Sequence, residues 1–322
     1  MKAIRFATPG GPDVLDYVDV DLPQPGPGQA RVEHTAIGVN FIDTYHRSGL
    51  YKLPLPSGLG SEAAGVVEAL GDGVTTLKIG DRVAYAGAMG AYAEASNVPA
   101  DRLVKLPASV SDETAAAAML KGMTAQYLLT RTHPVKAGET ILFHAAAGGV
   151  GLIAGQWAKH LGATVIGTVG STDKVALAKA NGYHHVLNSR DADWPKQVRE
   201  HTGGAGVPVV YDSIGKDTFV GSLDSLAVRG LLVSFGNSSG AVPAFEPGLL
   251  SAKGSLYLTR PTLAHYTRDA KELQATADDL FAVIASGAVK IAVHQRFKLS
   301  EARQAHAALH SRQTTGATVL IP

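Results

Sequence analysis

Short apolar runs broken by Pro/Gly punctuation fill the first 120 residues of the chain. Gln29–His34 (QARVEH), Ala64–Leu70 (AGVVEAL) and Asp81–Ala86 (DRVAYA) read as strands, separated by turn signals such as Pro23–Gly28 and Gly71–Gly73. Such short strands predict a barrel-like or partly open β-domain. A helix follows, with Ser111 as its N-cap, Glu113 in its first turn and the alanine-rich Ala115–Leu120 as its body. Gly122 then separates it from a second helix over Thr124–Thr130.

From Glu139 the period changes. Strands Thr140–Ala145, Thr164–Val169, His185–Asn188, Val207–Asp212, Gly230–Phe235 and Ser255–Leu258 alternate with helices over Gly151–Leu161, Asp173–Asn181, Pro195–His201 and Asp217–Leu226. This rhythm predicts an α/β chain containing a parallel, doubly wound Rossmann sheet. The tail carries a helix over Lys271–Ser286, a strand near Ala292–Phe297, a helix over Leu299–His310 and a closing strand Thr318–Ile321. The closing strand most simply returns to the β-rich start. The expected division is therefore a β-rich catalytic domain from residues 1–122 and 262–322, a nucleotide-binding domain from 123–261, and a ligand cleft between them.

Composition narrows the classes. Of 322 residues, 45% are hydrophobic and 18% charged, ordinary values for a globular protein. The net charge of +1 supplies no field for nucleic acid or anionic membrane. No apolar run approaches a membrane span, and the apolar stretch at Met1–Phe6 is too short for a signal peptide, so a cytoplasmic location is expected. Zero cysteines exclude disulfides, thiolate metal sites and thiol nucleophiles.

The strongest chemical signal is FHAAAGGVGLIAGQWAKHLGA, Phe143–Ala163. Its spacing is Ala145-x-x-Gly148-x-x-Gly151, with alanine in place of the first glycine of the dinucleotide-binding turn. Glycines let the backbone approach a pyrophosphate, and the following helix offers unpaired N–H groups to it. An NAD site ends the next strand with a carboxylate for the ribose 2′-hydroxyl. Here that tip reads Gly167-Thr-Val-Gly170-Ser-Thr-Asp-Lys174, small and neutral, with Lys174 placed to pair a 2′-phosphate. NADPH is the expected cofactor, although Lys174 also suits a solvated first-turn position.

With these residues the chain resembles the zinc-independent quinone oxidoreductases of the medium-chain dehydrogenase/reductase superfamily, the group that includes zeta-crystallin. The resemblance spans essentially the whole chain: GGPDVL (Gly10–Leu15), GVNFIDTYHRSGLY (Gly38–Tyr51), PSGLGSEAAGVVEALGDGV (Pro56–Val74), GDRVAY (Gly80–Tyr85), the glycine turn, VSFGNSSG (Val233–Gly240) and KGSLYLTRP (Lys253–Pro261). It implies a GroES-like catalytic domain beside the Rossmann domain. Zinc-dependent members carry a cysteine where Asn40 stands and a His-Glu pair where Ser61-Glu62 stands. Asn40 and Ser61 are not zinc donors, and one remaining carboxylate makes no site. The 12 histidines form no chelating pair near a carboxylate in the N-terminal part. No metal is therefore expected.

The resemblance implies NADPH-dependent reduction of quinones. It also admits a reductase of other activated double bonds, or a largely non-catalytic binder of NADPH or nucleic acid. It assigns Asn40 and Tyr45 to the nicotinamide end as orienting groups, against a packing role for each. Tyr51 and Thr124 are cleft candidates, with helix capping an equal reading for Thr124. It carries Gly148, Gly149, Val150 and Gly151 to the pyrophosphate, and Gly170 and Lys174 to the adenosine phosphate. Phe235, Gly236, Asn237, Ser238, Thr259, Arg260 and the late Arg312 join the cofactor set, with a surface salt bridge an equal reading for Arg312. One departure stands out: close relatives have an aromatic or histidine before arginine near the adenosine, whereas this chain has Ser189-Arg190, also counted with the cofactor set; either Arg190 compensates by pairing the 2′-phosphate or NADPH binds less tightly. A homodimer through the last Rossmann strand is expected, because an exposed edge strand invites pairing with its twofold mate.

Overall fold

The computed structural model describes residues 1–311 and 314–322. The strands in chain order are β1 (Lys2–Phe6), β2 (Asp16–Asp19), β3 (Gln29–Val39), β4 (Ser57–Gly58), β5 (Glu62–Leu70), β6 (Arg82–Ala86), β7 (Ala95–Pro99), β8 (Val104–Lys105), β9 (Thr140–Phe143), β10 (Thr164–Val169), β11 (His185–Asn188), β12 (Val207–Asp212), β13 (Leu226–Ser234), β14 (Tyr257–Thr259), β15 (Val293–Lys298) and β16 (Ala317–Ile321). The helices are α1 (Phe41–Ser48), α2 (Asp112–Tyr127), α3 (Gly149–His160), α4 (Val175–Ala180), α5 (Trp194–Glu200), α6 (Phe219–Ser225), α7 (Gly248–Ala252), α8 (Ala270–Ala285) and α9 (Ala302–His310). Two compact units result: Met1–Met123 with Thr267–Ala285 and Ile291–Pro322, and Thr124–Tyr266 with Ser286–Lys290. The short Ser286–Lys290 segment clusters with the second unit because Gln156 and Lys290 exchange hydrogen bonds, Nε2 to the carbonyl at 3.1 Å and N–H to Oε1 at 2.9 Å.

In the first unit one sheet has the order β15-β16-β3-β5-β6-β8, with β7 also paired to β3, and a second has the order β2-β1-β4. The long strand β3 serves three partners. Its pairing with β5 shifts register between Arg31 and Val32 and again between His34 and Ala36, so the strand bends as bulged strands do. Gly65 on β5 permits the close passage: an added Cβ would lie 1.8 Å from the Glu33 carbonyl oxygen. The closing strand β16 lies antiparallel to β3, pairing Thr318 with Val39, and parallel to β15. Ile4, Phe6, Val32, Ile37, Tyr85, Tyr92 and Leu320 belong to the core these sheets enclose.

One local expectation changes. Gly122 does not end a helix; α2 continues through it to Tyr127. Its missing side chain makes room for α8, since a Cβ there would lie 2.4 Å from Leu280 Cδ1. The segment after β3, which carries no clear period in the sequence, forms α1. Asp43 Oδ2 accepts the Asn40 N–H at 2.8 Å at its start, and Gly49 closes it at φ 82°.

In the second unit the sheet order is β11-β10-β9-β12-β13-β14, and every pairing is parallel. Counted from β9 the order is 3-2-1-4-5-6, so the winding reverses between β9 and β12. Helices cover the sheet, which is why β10 (TVIGTV) is buried nearly throughout. Leu142, Ile166, Trp194, Val210, Phe219 and Leu232 anchor the core there, each worth about 1.5–3 kcal/mol of burial. No helix among the described residues is long and apolar enough to cross a membrane.

A buried histidine gives the first unit a pH signature. His34 Nδ1 lies 2.7 Å from the Ala93 carbonyl and Nε2 lies 3.0 Å from the Tyr85 hydroxyl. Burial pushes its pKa from 6.5 down to about 4. The unfolded ring therefore takes a proton at a pH where the folded ring does not. Stability present above pH 6.5 is lost as pH falls through about 4. The advantage of wild type over His34→Gln, read from urea midpoints, should shrink across that interval; an advantage that stays constant would refute this account.

Candidate active site

Parallel strands that start from one edge all end at the other, and the residues expected to hold a ligand follow those carboxyl ends. After β9 the chain turns sharply. Ala145, at the expected first glycine position, adopts φ 54°, a left-handed conformation that costs an alanine about 1–2 kcal/mol. Gly148 N–H then donates to the Ala145 carbonyl at 2.9 Å, and α3 begins at Gly149 with Gly148 as its cap. Because Gly148 has no side chain to cap the helix, the first N–H groups of α3, including those of Gly149 and Val150, are left for an anion. Gly151 packs against the turn itself: a Cβ there would lie 2.2 Å from the Ala145 oxygen. The cradle thus fits the phosphates of a dinucleotide.

Beside it, β10 ends at Val169, and Gly170 follows with open space around a Cβ built on it. Lys174 ends a short 3-10 turn, Thr172–Lys174, at the N-cap position of α4, and is half-buried. Ser189 is tied to the same strand end, its N–H donating to the Val169 carbonyl at 2.8 Å and its hydroxyl at 3.2 Å. Arg190 is exposed, its N–H capped by Asn188 Oδ1 at 3.1 Å. Gly170, Lys174, Ser189 and Arg190 therefore cluster about two adjacent strand ends.

Across the switch point, Asp212 ends β12 and organises the loops beside it. Its carboxylate accepts N–H donors from Ile214 at 2.8 Å and Gly215 at 3.1 Å, and hydroxyls from Thr218 at 2.8 Å and Ser222 at 2.7 Å. Gly236 is required where the next loop crosses, since a Cβ would lie 2.6 Å from the Ser213 oxygen. Phe235 packs 5.7 Å from Phe143, centroid to centroid, and Ser238 N–H donates to the Ser213 carbonyl at 3.2 Å. Asn237 and Arg260 share a cavity of about 460 Å³ with Phe219, Ser234, Phe245 and Leu258. Thr259 ends β14 immediately before Arg260. Thr124 is buried on α2 in this unit. The Asp212 network was missed from the sequence, although an acidic residue closing an apolar strand ahead of a glycine was a readable signal.

The first unit gathers Asn40, Tyr45 and Tyr51. Asn40 is buried, and its side-chain Nδ2 donates to Glu62 Oε2 at 2.8 Å. The same oxygen accepts the Lys121 ammonium at 3.0 Å, and Oε1 accepts the Leu120 N–H at 2.6 Å. Helix α1 is fixed by a buried chain beyond it. Arg47 donates to His306 Nδ1 at 2.9 Å, His306 Nε2 meets the Tyr92 hydroxyl at 3.0 Å, and that hydroxyl donates to Asp43 Oδ2 at 3.0 Å. Burial pushes Asp43 up to about 7, and burial with the Arg47 charge pushes His306 down to about 3, so the imidazole is a neutral link. Tyr45 and Tyr51 meet edge to face at 5.2 Å, and Tyr51 N–H donates to the Tyr45 carbonyl at 3.0 Å. Glu62, Lys121, Asp43, Tyr92 and His306 were not foreseen. Their local sequence does not mark them, and only their burial reveals them. Arg312 lies outside the described residues.

These donors do not fit a zinc ion. Asn40 and Ser61 offer an amide and a hydroxyl, and both oxygens of Glu62 are already committed. A divalent ion would also sit against the buried Lys121 ammonium. Among the described residues no group of three or more His, Asp or Glu is arranged to hold a metal. The paired histidines of the second unit are engaged elsewhere: His184 Nδ1 accepts the Val165 N–H at 3.0 Å, and His185 stacks on His201 at 3.9 Å.

A GroES-like unit joined to a 3-2-1-4-5-6 Rossmann unit defines an oxidoreductase of the medium-chain dehydrogenase/reductase class. Residues 26–108 match the alcohol dehydrogenase GroES-like domain, and residues 149–280 match the zinc-binding dehydrogenase family, a description that does not bring the metal ligands with it. The chain is 56% identical to a quinone oxidoreductase of Pseudomonas aeruginosa, over 100% of this chain and 99% of that protein. It matches the solved structure of Escherichia coli quinone oxidoreductase complexed with NADPH at a TM-score of 0.98, with 52% identity over 100% of each chain. It is also 47% identical to a 2-haloacrylate reductase of Burkholderia sp, over 97% of this chain and 96% of that protein. The chain belongs to the quinone oxidoreductase family of the medium-chain dehydrogenase/reductase superfamily.

The glycine turn supplies a stability test. Gly151→Ala should cost about 1–3 kcal/mol, because its Cβ meets backbone. Gly170→Ala, whose Cβ enters open space, should change stability by less than about 0.5 kcal/mol. Urea denaturation of the two variants checks the contrast.

Proposed function

We propose that the protein is an NADPH-dependent reductase of quinones that works without a metal. The observation that carries this reading is the β10 strand tip, which ends small and neutral and leads into Lys174 beside Ser189 and Arg190. A carboxylate there would bond a ribose 2′-hydroxyl and repel a 2′-phosphate, whereas an ammonium attracts it. In this reading Gly148, Gly149, Val150 and Gly151 hold the pyrophosphate, Gly170, Lys174, Ser189 and Arg190 the adenosine phosphate, and Phe235, Gly236, Asn237, Ser238, Thr259 and Arg260 the remainder. Similarity to an NADPH-bound relative supports it.

Bound NADPH supplies the reducing equivalents. The chain's own residues bind, orient and polarise. A quinone asks little more of them, because its conjugated ring shares incoming charge between two oxygens and needs no Lewis acid. Asn40 holds the nicotinamide ribose or the substrate in this reading and the Tyr45 hydroxyl donates toward a substrate oxygen, while Tyr51 and Thr124 shape the surroundings of the nicotinamide. A second reading has direct support from the 2-haloacrylate reductase relative: reduction of an activated carbon–carbon double bond by the same site.

One assay separates these readings and tests the coenzyme. Wild type mixed with NADPH and 1,4-benzoquinone should consume the reduced nicotinamide, with 2-chloroacrylate a poorer acceptor. Turnover of 2-chloroacrylate with none of benzoquinone favours the second reading. Wild type should prefer NADPH to NADH, and Lys174→Ala should lose about tenfold or more of that preference, as expected for a lost charge-assisted phosphate contact. An unchanged preference removes Lys174 from the phosphate site.

We also propose a homodimer formed through β14. This strand is the edge of its sheet, with Tyr257 62% and Leu258 36% exposed and Val228 of the neighbouring β13 74% exposed. Sedimentation should give a dimer for wild type and a monomer for Leu258→Lys; a monomeric wild type removes the proposal.

A further inference from the structure

Three observations meet at Glu62. Its carboxylate is fully buried and holds three donors: Asn40 Nδ2 at 2.8 Å, Lys121 Nζ at 3.0 Å and Leu120 N–H at 2.6 Å. The Lys121 side chain is 7% exposed, so the ion pair lies out of water. Gly38 gives up a side chain for it, because a Cβ there would lie 2.2 Å from Glu62 Oε2 and 2.2 Å from the Ala116 oxygen. A buried ion pair is a poor source of net stability, since desolvating both charges offsets their attraction. The arrangement does have one specific consequence for chemistry. An ionised carboxylate only accepts hydrogen bonds, so the neighbouring amide must present its NH₂ to it. The Asn40 amide is thereby locked in one of its two orientations, with nitrogen toward Glu62 and oxygen away.

We propose that Lys121 is a positioning residue for the reaction: paired with Glu62, it fixes Asn40 so that the amide oxygen is offered as an acceptor to an O–H or N–H donor of the bound ligand. This deepens the reading of Asn40 as a ligand-facing residue and rests on it. Without the ammonium a lone charge would be left buried, which favours the neutral carboxyl; that form donates as well as accepts, the amide is no longer held in one orientation, and Asn40 meets the ligand with donor and acceptor interchanged part of the time. A Lys121 that merely supported the helix would weaken the protein whatever stood at residue 40. A Lys121 that acts through the amide matters only while Asn40 is present.

A double-mutant cycle between Lys121→Met and Asn40→Ala distinguishes the two, read by calorimetric binding of NADPH alone and by kcat/KM for 1,4-benzoquinone. Lys121→Met should lower one or both by about tenfold in the wild-type background and leave them unchanged in the Asn40→Ala background. Coupling in the NADPH dissociation constant assigns the donor to the coenzyme; because 1,4-benzoquinone has no O–H or N–H of its own, coupling in kcat/KM alone assigns it to the O–H that forms as the quinone is reduced. Lys121→Arg, which keeps the charge, should restore most of the loss. Equal losses in both backgrounds, or no loss at all, overturn the inference. Where Lys121→Met does not fold, Glu62→Gln carries the same cycle, because a glutamine accepts or donates and no longer dictates the Asn40 orientation. A wild type that binds NADPH but reduces no quinone overturns the function proposed above, and the calorimetric cycle still judges Lys121.

Discussion

A β-strand has two edges and must satisfy the backbone groups on both, and in this protein β3 carries more of that demand than any neighbour it pairs with. It runs from Gln29 to Val39 and gives its edges to β5, β7 and β16 in turn. One straight strand does not serve three partners, so β3 bends where its register with β5 shifts. The consequence reaches the candidate site. The strand ends at Val39, and the next residues, Asn40 and α1, leave it at an angle fixed by the Asp43 carboxylate on the Asn40 N–H. The pairing of β16 with Ile37–Val39 ties the last residues of the chain to the base of the same segment.

Buried polar groups set the other constraint, and the two units meet it in similar ways. Asp212 is surrounded by N–H and hydroxyl donors that shape the loops at the carboxyl ends of β12 and β13. Glu62 is surrounded by an amide, an ammonium and a backbone N–H. Each carboxylate costs desolvation and is tolerable because its lone pairs are used. In both cases glycine supplies the space nearby, Gly236 beside Ser213 and Gly38 beside Glu62. These contacts are short-range and geometric, so they tolerate little change in side-chain length.

The superfamily's zinc-dependent branch and this chain use the same fold around a different set of donors. Replacing thiolate and imidazole by Asn40 and Ser61 removes metal ligands, and the Lys121 ammonium supplies a positive charge on the remaining carboxylate. A singly charged, fixed ammonium orients its neighbours and does not act as a Lewis acid on a bound carbonyl. That limitation is compatible with the proposed quinone acceptor, which delocalises charge within itself.

Much of the architecture was legible in the linear pattern. The alternation of apolar strands with helix-length segments after Glu139 fixed a parallel sheet, because a buried parallel strand has no solvent face to mark with polar residues. The glycine turn was equally plain, since Gly148 and Gly151 answer steric demands a few residues away. Elements whose cause lies far along the chain were not legible. Gly122 reads as a helix stop but accommodates Leu280, and α1 is held by Tyr92 and His306, remote in sequence. The Glu62–Lys121–Asn40 contact joins three segments, none of which marks the others. The sequence by itself determined the strand–helix alternation after Glu139 and the position of the glycine turn, because those follow from periodicity and local backbone sterics. Only the tertiary structure decided which buried charges face each other, because hydrogen bonds between distant segments depend on three-dimensional placement that no local pattern encodes.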